Sequence, residues 1–275
     1  MKNFFSVFII ILITGCTSHH ARENNQVKKA HDATINKHDS SNYISINDAA
    51  TILSKREIPI LCYHRIQNSG KGDYVVSPAA FSEQMQALAD SGYKTILPDQ
   101  LYSYLANNAA LPDKSIMLTF DDTDLEQFTI ANEEMRKHNF KGVFFIMTIS
   151  IGRKRYMSKE QIKQLADEGN YIEVHTWDHH KVTEYLDADW NKQLDESKQK
   201  LETITGKPVK YFAYPFGLWD EAATKELQKR GIKMAFQLSA QRDSLEPLFT
   251  VRRTLVPGTW TTSGLFKAMK RTFHY

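Results

Sequence analysis

Two short strings hold most of the reactive side chains in this chain. Thr119-Phe120-Asp121-Asp122 delivers adjacent carboxylates at the end of the apolar run Ile116-Met117-Leu118, and His175-Thr176-Trp177-Asp178-His179 delivers two imidazoles at the end of Tyr171-Ile172-Glu173-Val174. Carboxylates leaving a buried strand need a cation or hydrogen-bond donors, because an ionised oxygen in an apolar setting is costly. An Asp-Asp helix cap, with Thr123 or Asp124 as the capping residue, is the structural alternative for the first string. Histidines four apart share one face of a helical turn and can both reach one ion. The two strings together make the ligand and base inventory of a divalent-metal hydrolase. Position 176 is Thr rather than Glu, so the helical metalloprotease motif with its own base does not apply, and Asp121 is the natural base. His180, five residues from His175, competes with His179 for the second imidazole position if the turn is irregular.

Apolar runs alternating with amphipathic stretches must position these groups. Strands are expected at Ile58–Tyr63, Thr95–Leu97, Ser115–Phe120, Gly142–Met147, Tyr171–His175, Val209–Tyr214, Met234–Leu238 and Thr250–Leu255. Helices are expected at Asp48–Lys55, Pro78–Ser91, Asp99–Asn107, Leu125–His138, Ser158–Glu168, Ala188–Ile204, Glu221–Arg230 and Ser263–Arg271. Ser77-Pro78 reads as an N-cap followed by Pro at the first helical position, and Ser158 with Gln161 as a capping box. Strand–helix alternation at this spacing predicts an α/β fold, a single β/α barrel with a parallel sheet, either regular or distorted. Active groups of such barrels gather at the C-terminal strand ends, where His64, Asp121 with Asp122, His175 and Tyr214-Pro215 all fall.

With 275 residues, 41% of them hydrophobic and 24% charged, the chain has enough apolar material for one large domain. A net charge of +3 without a long basic run gives no nucleic-acid footprint. Lys2 followed by the apolar run Phe4 to Ile13 reads as a signal peptide over residues 1–15. Leu12-Ile13-Thr14-Gly15-Cys16 resembles a lipobox, which makes Cys16 the expected lipidated N-terminus and a membrane anchor in the bacterial envelope. Thr17 after it favours the outer membrane where there are two. Residues 16–56 are expected to form a polar tether, with His19, His20, His31 and His38 scattered in it, ahead of a catalytic domain at 57–275. With Cys16 lipidated, Cys62 has no disulfide partner and is expected to be a buried strand residue.

Thr119-Phe120-Asp121-Asp122, His175-Thr176-x-x-His179 and Tyr214-Pro215-Phe216-Gly217, in that order, resemble the motifs of NodB-type polysaccharide deacetylases, carbohydrate esterase family 4. The resemblance runs from about Ile58 to Thr272. It implies that Asp122, His175 and His179 bind the metal, that Asp121 is the general base, and that Tyr214-Pro215-Phe216-Gly217 lines the substrate, with the Phe216 N–H holding the oxyanion. The family's usual late Leu-x-His is missing. Instead Ile60-Leu61-Cys62-Tyr63-His64 is similar to the rearranged poly-N-acetylglucosamine deacetylase subgroup, which implies His64 as general acid. The Arg that usually opens the third motif is replaced by Phe212-Ala213-Tyr214. Arg252 or Arg253 is then the candidate to orient the base, and strand alternation allows only one of them to reach it.

The expected activity is hydrolysis of N-acetyl groups on N-acetylglucosamine units of an envelope or matrix polysaccharide. Poly-N-acetylglucosamine leads over peptidoglycan and chitin oligomers. Zinc is the expected ion, with cobalt, nickel or manganese as substitutes. The rival readings are an O-acetyl polysaccharide esterase and a non-catalytic carbohydrate-binding lipoprotein. Trp177, Tyr214, Phe216, Trp219 and Trp260 are the candidate sugar-stacking rings.

Overall fold

A computed structural model describes residues 46–69 and 72–274. The signal peptide, Cys16 and the four tether histidines lie outside the described residues. In chain order the elements are α1 (Ala49–Ser54), β1 (Ile60–Tyr63), β2 (Arg65–Ile66), β3 (Val75–Val76), α2 (Pro78–Asp90), β4 (Lys94–Thr95), α3 (Pro98–Asn107) and β5 (Ser115–Asp121). There follow α4 (Glu133–Lys137), β6 (Gly142–Ile146), α5 (Lys159–Asp167), β7 (Tyr171–Val174), α6 (Glu196–Thr205), β8 (Tyr211–Ala213), α7 (Glu221–Lys229), β9 (Met234–Phe236), β10 (Thr254–Leu255) and α8 (Thr262–Phe273).

The main sheet of the described residues is parallel and eight-stranded, in the order β10-β1-β5-β6-β7-β8-β9, with β4 added on β5. It curls into a half-barrel rather than closing as a regular barrel. Between β9 and β10 only a bridge from Phe236 to Val251 and a few backbone bonds, such as Arg253 N–H to Leu238 O at 3.2 Å, span the seam. The last strand was expected over Thr250–Leu255, but its first residues serve this seam.

Alternation along the strands sorts the two faces. Leu61 and Tyr63 of β1, Leu118 and Phe120 of β5, and Phe144 and Ile146 of β6 pack outward with the helices. Ile60, Met117, Val143, Phe145, Tyr211, Met234 and Phe236 fill the inside. Two and four residues further along the same inward rows stand Cys62 and His64 after Ile60, and Thr119 and Asp121 after Met117, so the inner row changes from apolar to polar as it nears the C-terminal rim. Completely buried apolar side chains of this size each contribute about 1.5–3 kcal/mol, which gives the rim a stiff foundation.

Helix starts follow the local chemistry. Ser77 Oγ accepts from Ala80 N–H with Pro78 in the first turn, and Ser158 and Gln161 form the reciprocal capping box. Two expected helices differ. Leu125–His138 begins as a π-helical segment, Gln127–Asn132, and Ala188–Ile204 contains another, Asn191–Asp195. No side chain caps the first of these, so neither Thr123 nor Asp124 plays that part. Residues 46–55, expected in the tether apart from a short helix, are docked on the domain. Asn47 Nδ2 donates to Leu105 O at 2.8 Å and Ile52 is buried.

Candidate active site

β1, β5, β7 and β8 deliver the site from their C-terminal ends, with β6 between β5 and β7. Asp121 is the last residue of β5, and the chain then turns through two left-handed residues, Asp122 (φ 76) and Thr123 (φ 71). This reversal lets neighbouring carboxylates face one cavity instead of opposite sheet faces. Thr123 Oγ1 accepts from Met147 N–H at 2.9 Å and holds the turn to the end of β6.

The segment after β7 is also a turn, not the helical turn expected from the four-residue spacing. Thr176 (φ 65) and His179 (φ 68) are left-handed, and Thr176 Oγ1 accepts from His179 N–H at 2.9 Å. His175 Nε2 and His179 Nε2 each lie 3.6 Å from Asp122 Oδ1. His180 points to solvent, where its Nε2 lies 3.6 Å from Glu184, and takes no part in the cavity.

The cavity of about 380 Å³ is lined by His64, Arg65, Tyr74, Asp121, Asp122, His175, His179, Tyr214, Phe216 and Arg253, among others. Asp121 is clamped: Arg253 Nη1 donates to Oδ1 at 2.7 Å and Nη2 to Oδ2 at 2.8 Å, a two-point fit between planar groups. Arg253 is itself fixed by Nε donating to Gln237 O at 3.2 Å and Nη1 to Thr119 Oγ1 at 3.2 Å, and is wholly buried. Arg252 faces the other way and pairs with Glu57 at 3.3 Å. Burial works to raise the Asp121 carboxyl, but the Arg253 guanidinium overrides it and holds the group well below the usual carboxylate range.

Asp122 Oδ1 and His175 Nε2 are buried side-chain atoms without a hydrogen-bond partner. His175 Nδ1–H donates to Ala213 O at 2.7 Å, so Nε2 carries the lone pair and aims it at Asp122. Burial pushes this imidazole down to about 3, lowers His179 as well, and raises Asp122. Two orphaned acceptors facing each other are unfavourable unless a cation joins them. The facing atoms of Asp122, His175 and His179 all lie within 4.8 Å of one another. Their 3.6 Å spacings are near the roughly 3.4 Å edge of a tetrahedron with bonds of about 2.1 Å. The residues present fit a divalent ion with nitrogen and oxygen ligands.

His64 leaves β1 at the opposite wall, 9% exposed, its ring 5.0 Å from Tyr74 in edge contact. Burial lowers its pKa, while Asp121 and Asp122 pull the other way. Cys62, buried beneath, donates Sγ–H to Asp121 Oδ2 at 3.5 Å. On the far side the Pro215–Gly217 turn places Phe216 at φ 60, with its ring 4.5 Å from His179. Its N–H takes no part in the turn bonds, which run from Gly217 N–H to Tyr214 O and from Leu218 N–H to Pro215 O.

Of the five aromatic candidates, only Tyr214 and Phe216 line the cavity. Trp219 donates Nε1–H to Gln237 and packs on the core, Trp260 packs likewise, and Trp177 lies under Lys192. Trp219 and Trp260 thus serve the core rather than the cavity. Three cavity-side residues escaped sequence reasoning. Tyr74 and Arg65 arrive on the short β2–β3 pair, and Gln127 Nε2 donates to both His64 O (2.9 Å) and Asp121 O. The apolar dipeptide Val75-Val76 was the one available signal for the extra strands.

Residues 108–235 match the family model described as polysaccharide deacetylase. A poly-beta-1,6-N-acetyl-D-glucosamine N-deacetylase of Staphylococcus epidermidis is 25% identical over 257 residues, covering 86% of this chain and 84% of that protein. IcaB from Ammonifex degensii superposes with a TM-score of 0.68 at 27% identity, over 78% of this chain and 98% of that one. The Streptococcus pyogenes deacetylase PplD, solved with acetate, shares the fold with a TM-score of 0.73 at 22% identity, over 78% of this chain and 98% of that one. Over residues 108–235 the chain thus matches the polysaccharide deacetylase family, whose members are hydrolases, and its fold is that of the solved deacetylases.

Proposed function

We propose that this chain is a metal-dependent hydrolase that removes N-acetyl groups from N-acetylglucosamine units of an envelope or matrix polysaccharide, with poly-N-acetylglucosamine as the leading substrate. The observation that carries this reading is the pairing of two orphaned atoms, Asp122 Oδ1 and His175 Nε2, beside an Arg-clamped Asp121 in one cavity. The N-acetylglucosamine polymer is supported by the name of the Staphylococcus epidermidis relative and by the position of His64 at the end of β1.

Asp122, His175 and His179 would hold the ion, zinc first, with cobalt, nickel or manganese acceptable to the same donors. A divalent ion held there would polarise the acetamide carbonyl and lower the pKa of a water toward about 7. Asp121, kept ionised by Arg253, receives the proton of the attacking water and cannot swing away, because both its oxygens are held. The unengaged Phe216 N–H faces the developing oxyanion, a contribution worth about 10²–10³ in rate where such donors have been removed. His64 hands a proton to the departing nitrogen, so that amide and water leave as amine and acetate. Tyr214 closes the wall behind the acetyl group, being 1% exposed.

The test is mass spectrometry of defined oligosaccharides after incubation. Loss of one acetyl mass per sugar from N-acetylglucosamine oligomers, abolished by a chelator, supports the reading. Release from acetylated xylan alone would select the O-acetyl esterase instead, and sugar binding without any acetate release would select the non-catalytic lipoprotein.

We infer further that the chain is exported and held at the bacterial envelope by lipid on Cys16, outer membrane first. The string Leu12-Ile13-Thr14-Gly15-Cys16 supports this. Among the described residues no helix is long and apolar enough to cross a membrane. Metabolic labelling with a fatty acid, lost on Cys16→Ser, tests the anchor.

A further inference from the structure

The rim beside His64 carries cations that the proposed chemistry does not use. Arg65, the residue after His64, lines the cavity, and its Nε lies 3.7 Å from Asp124 Oδ2. Arg155 Nη2 reaches the other oxygen of the same carboxylate at 3.7 Å. The loop bearing Arg155 is stitched to the exit of β5, since Leu125 N–H donates to Arg155 O at 2.9 Å and Tyr156 bridges to Asp124. Arg153 and Lys154 precede it, exposed and without an ion pair among the described residues.

The burial pattern decides the sign that a ligand meets. Asp124 is 2% exposed, whereas the side chains of Arg65 and Arg155 are 40% and 54% exposed, so the anion lies beneath and the cations face water. Asp122, 30% exposed in the same cavity, is assigned to the ion; the other acidic side chains toward the surface here are Glu126, half-buried, and Asp73 on the β2–β3 lip. With Asp122 given over to the ion, the two water-facing guanidiniums, and Arg153 and Lys154 further along the same loop, outnumber these carboxylates and leave the Arg65 side of the rim positive.

Each turnover of the proposed reaction converts a neutral acetamide into acetate and a primary amine, which takes up a proton near neutral pH. The polymer therefore becomes more cationic with every unit processed. We propose that the Arg65–Arg155 edge, extended by Arg153 and Lys154, makes the enzyme discriminate against its own product, favouring stretches whose units flanking the target remain acetylated. This inference rests on the deacetylase reading. A glucosamine seated beside the target would bring its ammonium against two exposed guanidiniums. At about 0.2–1 kcal/mol for each of the two exposed charge contacts, the expected discrimination is roughly 2- to 30-fold at low ionic strength.

The test compares two oligomers with an acetylated target unit, one acetylated throughout and one carrying glucosamine at the flanking units, in about 0.01 M and about 1 M salt, where the screening length is about 30 and about 3 Å. The expected result is a roughly 2- to 30-fold faster acetate release from the acetylated oligomer at low salt and near equality at high salt. Arg65→Gln with Arg155→Gln lowers the ratio at low salt, and Arg153→Gln with Lys154→Gln lowers it less. The ratio, not the rate, is the readout, and melting curves check that each variant folds. Equal release at low salt, or a preference that neither salt nor both variants change, overturns the inference. If neither oligomer yields acetate, the deacetylase reading fails. The same contrast must then appear in calorimetric binding of the two oligomers, or the charge inference fails with it.

Discussion

Asp121 is held ionised by a buried guanidinium whose two terminal nitrogens both donate to it, and this mutual dependence has measurable consequences. Arg253→Met leaves an uncompensated carboxylate with a 2% exposed side, and it is expected to lower unfolding free energy by about 3–5 kcal/mol in urea titration. Asp121→Asn combined with Arg253→Met is expected to cost clearly less than the sum of the two single changes; simple additivity would show that the clamp is not a coupled unit. Asp121→Asn alone is expected to reduce acetate release by about 10²–10⁴ while oligosaccharide binding persists. His175 offers a pH test in metal-free protein. Its imidazole sits at about 3 when folded, against 6.5 ordinarily, so the unfolded chain takes the proton first as pH falls. The stability associated with the neutral ring is complete above 6.5 and drains away toward 3. Relative to His175→Gln, the wild-type protein should lose about 2 kcal/mol between pH 6.5 and about 5, at about 1.4 kcal/mol per unit. A gap that stays constant over that range contradicts the buried neutral assignment.

The β2–β3 pair is the element that turns an open strand end into a cavity. It carries Arg65 and Tyr74 over His64, and it seats against Gly258, where an added Cβ would fall 2.0 Å from Val75 O. Gly258→Ala must therefore push the lip outward. The expected outcome is a several-fold rise in KM, a smaller fall in kcat, and about 1–3 kcal/mol less stability, read from steady-state kinetics and melting together. An unchanged KM would mean that the lip does not touch substrate. The same element marks the limit of what could be read in advance. His64, Asp121 and His175 were legible because each ends an apolar run, and inward alternation carries such residues to the rim. Arg253 was legible only as one of two adjacent arginines, since alternation says that one points inward but not which. Tyr74 and Gln127 were not legible. Their places depend on a pair of two-residue strands and on a π-helical register, and neither has a local propensity signal strong enough to stand out. The turn at Thr176 and His179 was hidden likewise, because a four-residue spacing is satisfied by a helix or by two left-handed residues.

Across the molecule, an apolar inner row that turns polar at one end ties the stability of the sheet to the formation of the site. The half-barrel leaves its seam between β9 and β10, and Arg253 crosses the molecule from that seam to Asp121 at the end of β5. Anything that joins Asp122, His175 and His179 should therefore stabilise the whole fold. Zinc at a hundredfold excess over its dissociation constant is expected to add about 2.7 kcal/mol to unfolding free energy, and to add nothing in Asp122→Asn. The most direct single test follows metal and acetate together. Metal-free protein is titrated with zinc, and bound ion and acetate release from an N-acetylglucosamine oligomer are measured on the same samples. The account predicts that both rise in step to saturate at about one ion per chain, and that Asp122→Asn loses both. Acetate release that persists after chelation, or that survives intact in Asp122→Asn, would contradict it.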